Sequence, residues 1–198
     1  MFPQMVAAIR TKLGFVLASG TIAMGAAVGI HGHQHLASTA DQQAITQLVH
    51  DSQLAEQQLC LPPGLYRTRL QVVPPGVVQQ VQDNVQRTET KYYTGALLTR
   101  MVDLLQTNCA GSMTGGESIQ IDGGVDSINC SSITAVGDTG TASCQVVEWL
   151  KSFVHNGNGN TDVVDPKGPV NVDDTFVRTA DGWRITAESA RFPPGTGP

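Results

Sequence analysis

The sequence VDSINCSSITAV fills residues 125–136 and TASCQVVEWLKSFV fills residues 141–154, with Gly-Asp-Thr-Gly between them. Both flanks are rich in β-branched and apolar residues, which favour extended chain. Glycine and aspartate at the junction are typical of a tight turn between antiparallel strands. The stretch therefore predicts a long β-hairpin over residues 124–154, within a sheet that begins near Ile119.

A second hairpin is predicted near the end of the chain. Residues 170–179 form one arm, Ala-Asp-Gly at 180–182 forms the turn, and residues 183–190 form the other arm. Arms this long expose one apolar face, and another layer of structure must cover that face. The cover is expected from the segments that precede the sheet.

Two helical segments lie upstream of the hairpins. The first begins with Ser38-Thr-Ala-Asp41, a capping pattern, and ends at Leu-Pro-Pro-Gly 61–64. Its apolar residues recur at helical spacing, and Asp51, Glu56 and the glutamines are expected mainly on the solvent side. The second segment runs from the Pro-Pro-Gly at 74–76 to about residue 108, and Gly95 is a point at which it can bend or split.

The N-terminal region predicts a membrane segment. Arg10 and Lys12 precede residues 13–30, which carry no charge, and the next basic residue is Arg67. As a helix this segment is about 27 Å long, close to the thickness of a bilayer core. Positive charge on one side predicts that residues 1–12 form a cytoplasmic tail and that the remainder lies outside the cytoplasm.

Two alternatives to an uncleaved anchor remain open for residues 13–30. Ala27-Val-Gly29 offers a small-x-small cleavage site, so a cleaved signal peptide would give a secreted protein. A buried core helix is the other alternative, although the segment shows no polar face.

The four cysteines, Cys60, Cys109, Cys130 and Cys144, form an even set without a Cys-x-x-Cys pair. In an exported chain this favours two disulfides, with three possible connectivities. Cys130 and Cys144 flank the first hairpin turn, and Cys60 and Cys109 each end a predicted helix. We therefore favour Cys60–Cys109 with Cys130–Cys144 over four buried free thiols.

The linker at residues 31–40 contains His31, His33 and His35. Alternating imidazoles can bind copper, nickel or zinc. Nothing else nearby completes a coordination sphere, so a polar linker is the preferred interpretation, and no cofactor is expected. Charged residues are 15% of the chain and the net charge is −5, without a basic cluster, so no nucleic-acid partner is expected.

Three features together carry a family resemblance: Val136-Gly-Asp-Thr-Gly-Thr-Ala142 leading into Trp149, the arm Asp174-Thr-Phe-Val-Arg-Thr179, and the turn with final strand Ala180-Asp-Gly-Trp-Arg-Ile185. They follow two helices, and this pattern resembles the nuclear transport factor 2-like superfamily, also called SnoaL-like or cystatin-like. The resemblance covers about residues 41–190, and residues 191–198 form a tail that is expected to be disordered.

The resemblance implies an α+β fold in which helices pack on one curved antiparallel sheet and leave a cone-shaped pocket. With a preceding transmembrane or signal helix, the chain is similar to single-span envelope proteins of bacteria, such as Mce-associated proteins and the scaffold subunits of conjugation and type IV secretion systems. It implies membrane attachment, an envelope complex and a homodimer formed through the sheets. Many such proteins are binding modules, and some are isomerases, dehydratases or cyclases.

A catalytic set is hard to assign. On the strand over residues 141–155, Glu148 shares a face with apolar residues, where a carboxylate with a raised pKa could act as a base. Tyr92 or His155 would then be the donor, and Tyr92 and Trp149 are candidate ligand-binding residues. The alternative for Glu148 is a cross-strand ion pair with Arg178 or Arg184.

The aspartates at the predicted strand starts are expected to be solvated; they are Asp122, Asp126, Asp173 and Asp174. The favoured hypothesis is a non-catalytic, extracytoplasmic module that docks a partner protein or a small apolar ligand. The alternative is an enzyme acting on a small apolar carbonyl compound.

Overall fold

The structure is a computed structural model that describes residues 37–156 and 158–194. The predicted cytoplasmic tail, the segment at 13–30, the three histidines of the linker and the last four residues of the tail lie outside this range. In the part of the chain that the structure describes, no helix combines the length and the apolar character needed to cross a membrane.

Three α-helices precede the sheet: α1 is Thr39–Leu59, α2 is Pro75–Glu89 and α3 is Gly95–Thr114, with a 3-10 turn at Gly64–Arg67. Ser38 caps α1 by accepting a hydrogen bond from the Asp41 backbone N–H. The predicted second helix is therefore two helices.

The break between α2 and α3 has a tertiary cause. The Thr94 N–H donates to the Ile185 carbonyl at 3.0 Å, and the Ile185 N–H donates to the Tyr92 carbonyl at 2.8 Å. Tyr93 thus forms a parallel bridge with Ile185 of the sheet. These bonds draw the chain out of the helix, and α3 restarts at Gly95, whose φ of 63° suits glycine.

Five strands form one antiparallel sheet: β1 is Ser118–Val136, β2 is Thr139–His155, β3 is Thr161–Val164, β4 is Lys167–Thr179 and β5 is Gly182–Arg191. The order is β1-β2-β4-β5, and the short β3 pairs with the end of β2. Both predicted hairpins therefore belong to the same sheet. The predicted α+β architecture, helices packed on one antiparallel sheet, is confirmed.

The apolar core lies between the helices and the inner face of the sheet. Alternate residues of β2 and β4, among them Val146, Val172 and Phe176, are buried against α1 and α3. At Gly123 the backbone of α1 comes so close that an added Cβ would lie 2.6 Å from the Gln57 carbonyl oxygen. Helix α1 therefore lies directly over the start of the sheet.

Two disulfides reinforce the fold, one between helices and one between strands of the sheet. Cys60–Cys109 joins the end of α1 to α3, and Cys130–Cys144 joins directly opposed residues of β1 and β2. No cysteine is free among the described residues. Both predicted pairs are present, so the free-thiol alternative is wrong.

The start of α1 is fixed to the last hairpin through Asp41. Its carboxylate pairs with Arg178 and accepts a hydrogen bond from the Trp183 indole N–H at 3.1 Å. The Arg178 guanidinium lies 4.3 Å from the centre of the Trp183 ring, a cation–π distance. The Arg178 hydrogen bond is the main reason that the pKa of Asp41 is lowered. Arg178 is therefore paired with a residue of α1.

Candidate functional site: an interior acidic recess

Five carboxyl groups from five different elements meet between the helices and the sheet. They are Glu56 of α1, Glu89 of α2, Glu148 of β2, Asp174 of β4 and Glu188 of β5. We call this group, with the hydroxyl of Tyr93, the interior acidic recess.

The strand register explains why the sheet carboxyls converge. Asp174 lies directly opposite Glu188 in the β4–β5 pair, so both side chains point to the same face. Glu148 shares the inner face of β2 with the buried Cys144 and Val146. Helix α1 lies over this face and adds Glu56.

Hydrogen bonds link part of the recess into a chain. The Tyr93 hydroxyl donates to Glu56 and lies 3.2 Å from Glu188 Oε2. Two glutamines of α1 also donate: Gln53 to Glu188 at 3.4 Å and Gln57 to Glu148 at 3.0 Å. The amides and the phenol are neutral, so none of these donors cancels the negative charge of an ionised carboxylate.

Glu89 and Asp174 are the least satisfied members. Glu89 is 0% exposed, Asp174 is 3% exposed, and neither oxygen of either carboxyl has a hydrogen-bond partner. A buried polar group without a partner costs free energy and is rare in folded proteins. Such groups mark a place where a water, an ion or a ligand is accommodated.

Glu56, Glu148 and Glu188 keep part of their surface accessible, although protein surrounds each carboxyl group. They are therefore recessed groups rather than groups on the outer surface.

Burial raises the pKa of every carboxyl in the recess. The pKa of Glu148 rises to about 7, mainly through burial and also through the charge of Glu188. For the same two reasons the pKa of Glu89 rises to about 8. Burial raises the pKa of Glu188 to about 7, although the Tyr93 hydrogen bond and the charge of Arg100 oppose the shift.

The pKa values of Glu56 and Asp174 are also raised. Burial first, and the charge of Glu188 second, hold the pKa of each carboxyl well above its ordinary value. Burial and the neighbouring carboxyls also raise the pKa of the Tyr93 hydroxyl. Because these groups interact, the recess takes up and releases protons as a set.

No ion pair neutralises the recess within residues 37–156 and 158–194. The salt bridges found there use Asp41, Asp51, Asp126 and Asp173, and none uses a recess carboxyl. Arg100, exposed on α3, is the cation whose charge acts on Glu188. The five acids therefore outnumber the nearby cation.

Comparison with known proteins finds likeness only in structure. No protein-family model matches the sequence, and no curated protein matches it either. Among solved structures, the intermembrane-space region of the chloroplast protein ARC6 is 15% identical with a TM-score of 0.51, covering 77% of this chain and 98% of that one.

Two further structures show weaker likeness. A nuclear transport factor 2-like superfamily protein from Salmonella enterica is 14% identical, with a TM-score of 0.44, and the match covers 81% of this chain and 96% of that one. CagV, a VirB8 homologue of a T4SS from Helicobacter pylori, is 8% identical, with a TM-score of 0.42, covering 74% and 98%. These are likenesses of fold alone.

The fold resembles that of nuclear transport factor 2-like proteins. The α+β architecture that the sequence predicts, helices packed on one antiparallel sheet, is the one observed.

Within this domain, Glu148 lies in the recess. The predicted alternative, an ion pair with Arg178 or Arg184, is wrong: Arg178 pairs with Asp41, and Arg184 donates to the backbone carbonyls of Asp181 and Trp183. Glu148 instead accepts a hydrogen bond from an amide.

Of the other candidate residues, Tyr92 lies near the recess, where the charge of Glu89 acts on it, whereas His155 and Trp149 do not face the recess. His155 is exposed at the end of β2, where its N–H donates to the Glu117 carbonyl. Tyr92 is half-buried, and burial raises the pKa of its hydroxyl. Trp149 belongs to the opposite face of β2 from Glu148, and an added Cβ at Gly124 would lie 3.0 Å from its ring. No hydrogen bond joins Tyr92 or His155 to Glu148 in the described chain.

Sequence reasoning missed most of the recess. Glu56 was expected on the solvent side of α1 and Asp174 at a solvated strand start, and both expectations are wrong. Asp126 and Asp173 do lie at the surface, paired with Lys167 and Arg191. The one available signal was period two along β4, which places Asp174 on the same face as Val172 and Phe176.

Proposed function

We propose that this chain is an extracytoplasmic binding and assembly module of the envelope, held at the membrane by residues 13–30, whose folded domain docks a partner protein. The observation that carries the proposal is the pair of disulfides, which use all four cysteines of the chain. Disulfides of this kind persist in oxidising compartments and are rare in the cytosol. The uncharged segment ahead of the domain fits attachment on the far side of a membrane.

The acidic recess favours a binding module over an enzyme that converts a small apolar compound. Five carboxyl groups make the recess a poor environment for a small apolar ligand. Neither Tyr92 nor His155 is hydrogen-bonded to Glu148 in the described chain, and Glu148 accepts its hydrogen bond from the Gln57 amide. We therefore assign the docking role to the outer surface.

The link between α1 and α2 supplies exposed apolar residues for docking. Leu65 is 74% exposed and Val72 is 62% exposed. Nearby, α1 and α2 form a groove lined in part by Leu61 and Val77, with Arg67 and Arg87 as its cations. An apolar surface bordered by charge is typical of a protein interaction site.

Location is tested first. The reporter is a phosphatase that is active only outside the cytoplasm, fused after Pro198. We expect the fusion to be active, because we propose that the domain lies on that side of the membrane. Stable expression of an inactive fusion contradicts the anchored orientation. The N-terminus of the mature protein, read by mass spectrometry, distinguishes an anchor from a cleaved signal.

Docking is tested by purification of the full chain from detergent-solubilised membranes. A stoichiometric complex that is lost in the double variant Leu65→Ser/Val72→Ser supports the proposal. Val136→Ser is the matched control, since Val136 is 61% exposed at the tip of the β1–β2 hairpin. Recovery of the chain alone, or as a homodimer without another protein, contradicts docking of a partner.

A second candidate function is an enzyme that acts on a small carbonyl compound. The observation in its favour is Glu148, a recessed carboxyl whose pKa of about 7 suits a general base. Turnover of a ketosteroid-type substrate that falls by about a hundredfold or more in Glu148→Gln, but not in the surface variant Asp126→Asn, would favour the enzyme. Absence of turnover leaves the docking function as the better explanation.

A further inference from the structure

A groove of about 440 Å³ lies between the end of α1, the link that follows it and one face of α2. The α2 residues that line it are Val77, Gln80, Val81, Asn84 and Arg87. Their spacing of three and four residues places them on one face of the helix. From Val77 to Arg87 a helix rises about 15 Å, so the lining face is elongated rather than confined to one point.

The wall opposite α2 is constrained by covalent and backbone bonds. It consists of the end of α1 and residues of the link at 61–67, where two prolines restrict the backbone. The Cys60–Cys109 disulfide fixes the junction between α1 and this link. The Arg67 Nε–H donates to the Pro62 carbonyl, which orients the guanidinium that lines the groove. A wall that is already ordered lowers the entropic cost of binding a ligand.

The charged side chains of the groove are both cationic. Arg67 and Arg87 line it, and no aspartate or glutamate is among its lining residues in the described chain. Neither arginine takes part in an ion pair within residues 37–156 and 158–194. Because the whole chain has a net charge of −5, the groove is a local reversal of that charge. Guanidinium groups pair with carboxylate or phosphate oxygens, so the groove favours an anionic ligand.

The α2 face also offers amide and apolar groups. The side-chain amides of Gln80 and Asn84 have no hydrogen bond within the described chain, whereas the Gln79 amide, outside the groove, is bonded within α2. Each amide carries both donors and an acceptor, as a peptide unit does. Val77 and Val81 add apolar surface. Cations, amides and apolar groups along about 15 Å match a peptide chain better than a compact anion such as phosphate.

We propose that this groove binds an acidic segment of the partner protein, about five residues in extended conformation, with a carboxylate at each end and an apolar side chain between them. An extended chain advances about 3.3 Å per residue, so five residues match the length of the α2 face. The carboxylates pair with Arg67 and Arg87, and the peptide backbone exchanges hydrogen bonds with Gln80 and Asn84. The inference rests on the docking function, which it deepens by naming the chemistry of the partner.

The test is a titration of the full chain, disulfides intact and in a zwitterionic detergent, with the peptide acetyl-Glu-Ser-Leu-Ser-Glu-amide, followed by NMR of the peptide. Alternate residues of an extended chain point the same way, so both glutamates and the leucine can face the groove. The comparison peptide has glutamine in place of both glutamates. We expect the acidic peptide to bind at least tenfold more tightly, and less tightly at about 1 M salt than at about 0.1 M.

Two results of this titration overturn the proposal. One is equal affinity for the acidic peptide and the glutamine peptide. The other is equal affinity for the acidic peptide and inorganic phosphate, which would make the groove a site for small anions. Both comparisons use the unsubstituted chain, so they do not depend on the folding of any variant.

Neutral substitutions locate the site. Arg67→Gln/Arg87→Gln should weaken binding of the acidic peptide by at least tenfold. The matched control, Arg69→Gln/Lys91→Gln, removes the same charge from exposed residues that do not line the groove, and it should leave the affinity unchanged. Thermal unfolding shows whether each variant is folded. Unchanged affinity in the folded groove variant, or an equal loss in the control, contradicts the assignment.

Purification from membranes separates this inference from the docking function. The complex should be lost in Arg67→Gln/Arg87→Gln and kept in the matched control. A complex that is lost in Leu65→Ser/Val72→Ser but intact in the groove variant leaves docking standing and overturns the acidic segment. Recovery of the chain alone, together with peptide binding that needs both arginines, contradicts docking and supports the preference of the groove for an acidic peptide.

Discussion

The free energy of unfolding is expected to fall by several kcal/mol as the pH rises from about 5 to about 8. In the unfolded chain the recess carboxyls titrate near their ordinary values. In the folded chain burial raises the pKa of Glu89 to about 8 and those of Glu148 and Glu188 to about 7. Between these limits the folded state holds more protons, so stability is full at low pH and is lost as the carboxyls ionise.

Glu89 contributes to this effect because it is fully buried and has no hydrogen-bond partner. A shift from 4.5 to about 8 corresponds to roughly 3–5 kcal/mol at 1.36 kcal/mol for each pKa unit. Glu89→Gln removes the ionisation and keeps the shape of the side chain. The variant should therefore be more stable than the unsubstituted chain at high pH and should lose less stability across the same range.

Urea unfolding at a series of pH values measures how the free energy of unfolding changes with pH, which we call the pH slope. Asp126→Asn serves as the control, because Asp126 is a surface acid paired with Lys167, and it should leave the slope unchanged. A free energy of unfolding that rises over this pH range contradicts the raised pKa values, and so does an identical slope in Glu89→Gln.

Loss of the Cys60–Cys109 disulfide is expected to lower the free energy of unfolding by about 4 kcal/mol. The bond closes a sequence separation of 49 residues and joins the end of α1 to α3, so its removal greatly increases the freedom of the unfolded chain. It also secures one end of the helix that carries Glu56. The double variant Cys60→Ser/Cys109→Ser tests this, with stability again measured in urea.

The Cys130–Cys144 bond provides an internal comparison. Its sequence separation is only 14 residues, and the hairpin already holds its ends together, so its loss should cost about 3 kcal/mol or less. If Cys130→Ser/Cys144→Ser lowers the free energy of unfolding more than Cys60→Ser/Cys109→Ser does, then Cys60–Cys109 is not the main restraint on the unfolded chain.

The hairpins and cysteine pairs were predictable because their causes are local. Gly-Asp-Thr-Gly between two β-rich flanks specifies a turn, and the same turn brings Cys130 opposite Cys144. The pairing of Cys60 with Cys109 was favoured because each ends a predicted helix, although α3 continues past Cys109 to Thr114. Each of these inferences needs only the sequence near the residues concerned.

The division of the second helix could not be predicted with the same certainty. Gly95 indicated a weak point, but the break depends on backbone hydrogen bonds from residues 92–94 to Ile185, which lies far along the chain. The break also turns Tyr93 inward, where it is 1% exposed, and leaves Tyr92 half-buried. Which of the two adjacent tyrosines is buried therefore depends on the contact with Ile185, which local sequence does not reveal.

The recess was the least predictable feature because it is assembled from five elements. Glu56 and Glu89 are acidic residues in glutamine-rich, polar helices, a composition typical of a solvated face. Only the packing of the helices on one another and of α1 on the sheet buries them. Glu148 was found from the sequence because its strand alternates clearly. Period two along β4 offered the same signal for Asp174, whereas Glu56, Glu89 and Glu188 gave no comparable local signal.

The protonation of the recess carboxyls is the measurement that tests this picture most directly. Carbon-13 NMR of side-chain carboxyl groups, recorded through a pH titration and assigned with Glu89→Gln, Glu148→Gln and Glu188→Gln, gives the pKa of each group. We predict that Glu148 and Glu188 titrate near 7 and Glu89 near 8. Titration of all three glutamates close to the ordinary value of about 4.3 would contradict the existence of an uncompensated, buried acidic recess.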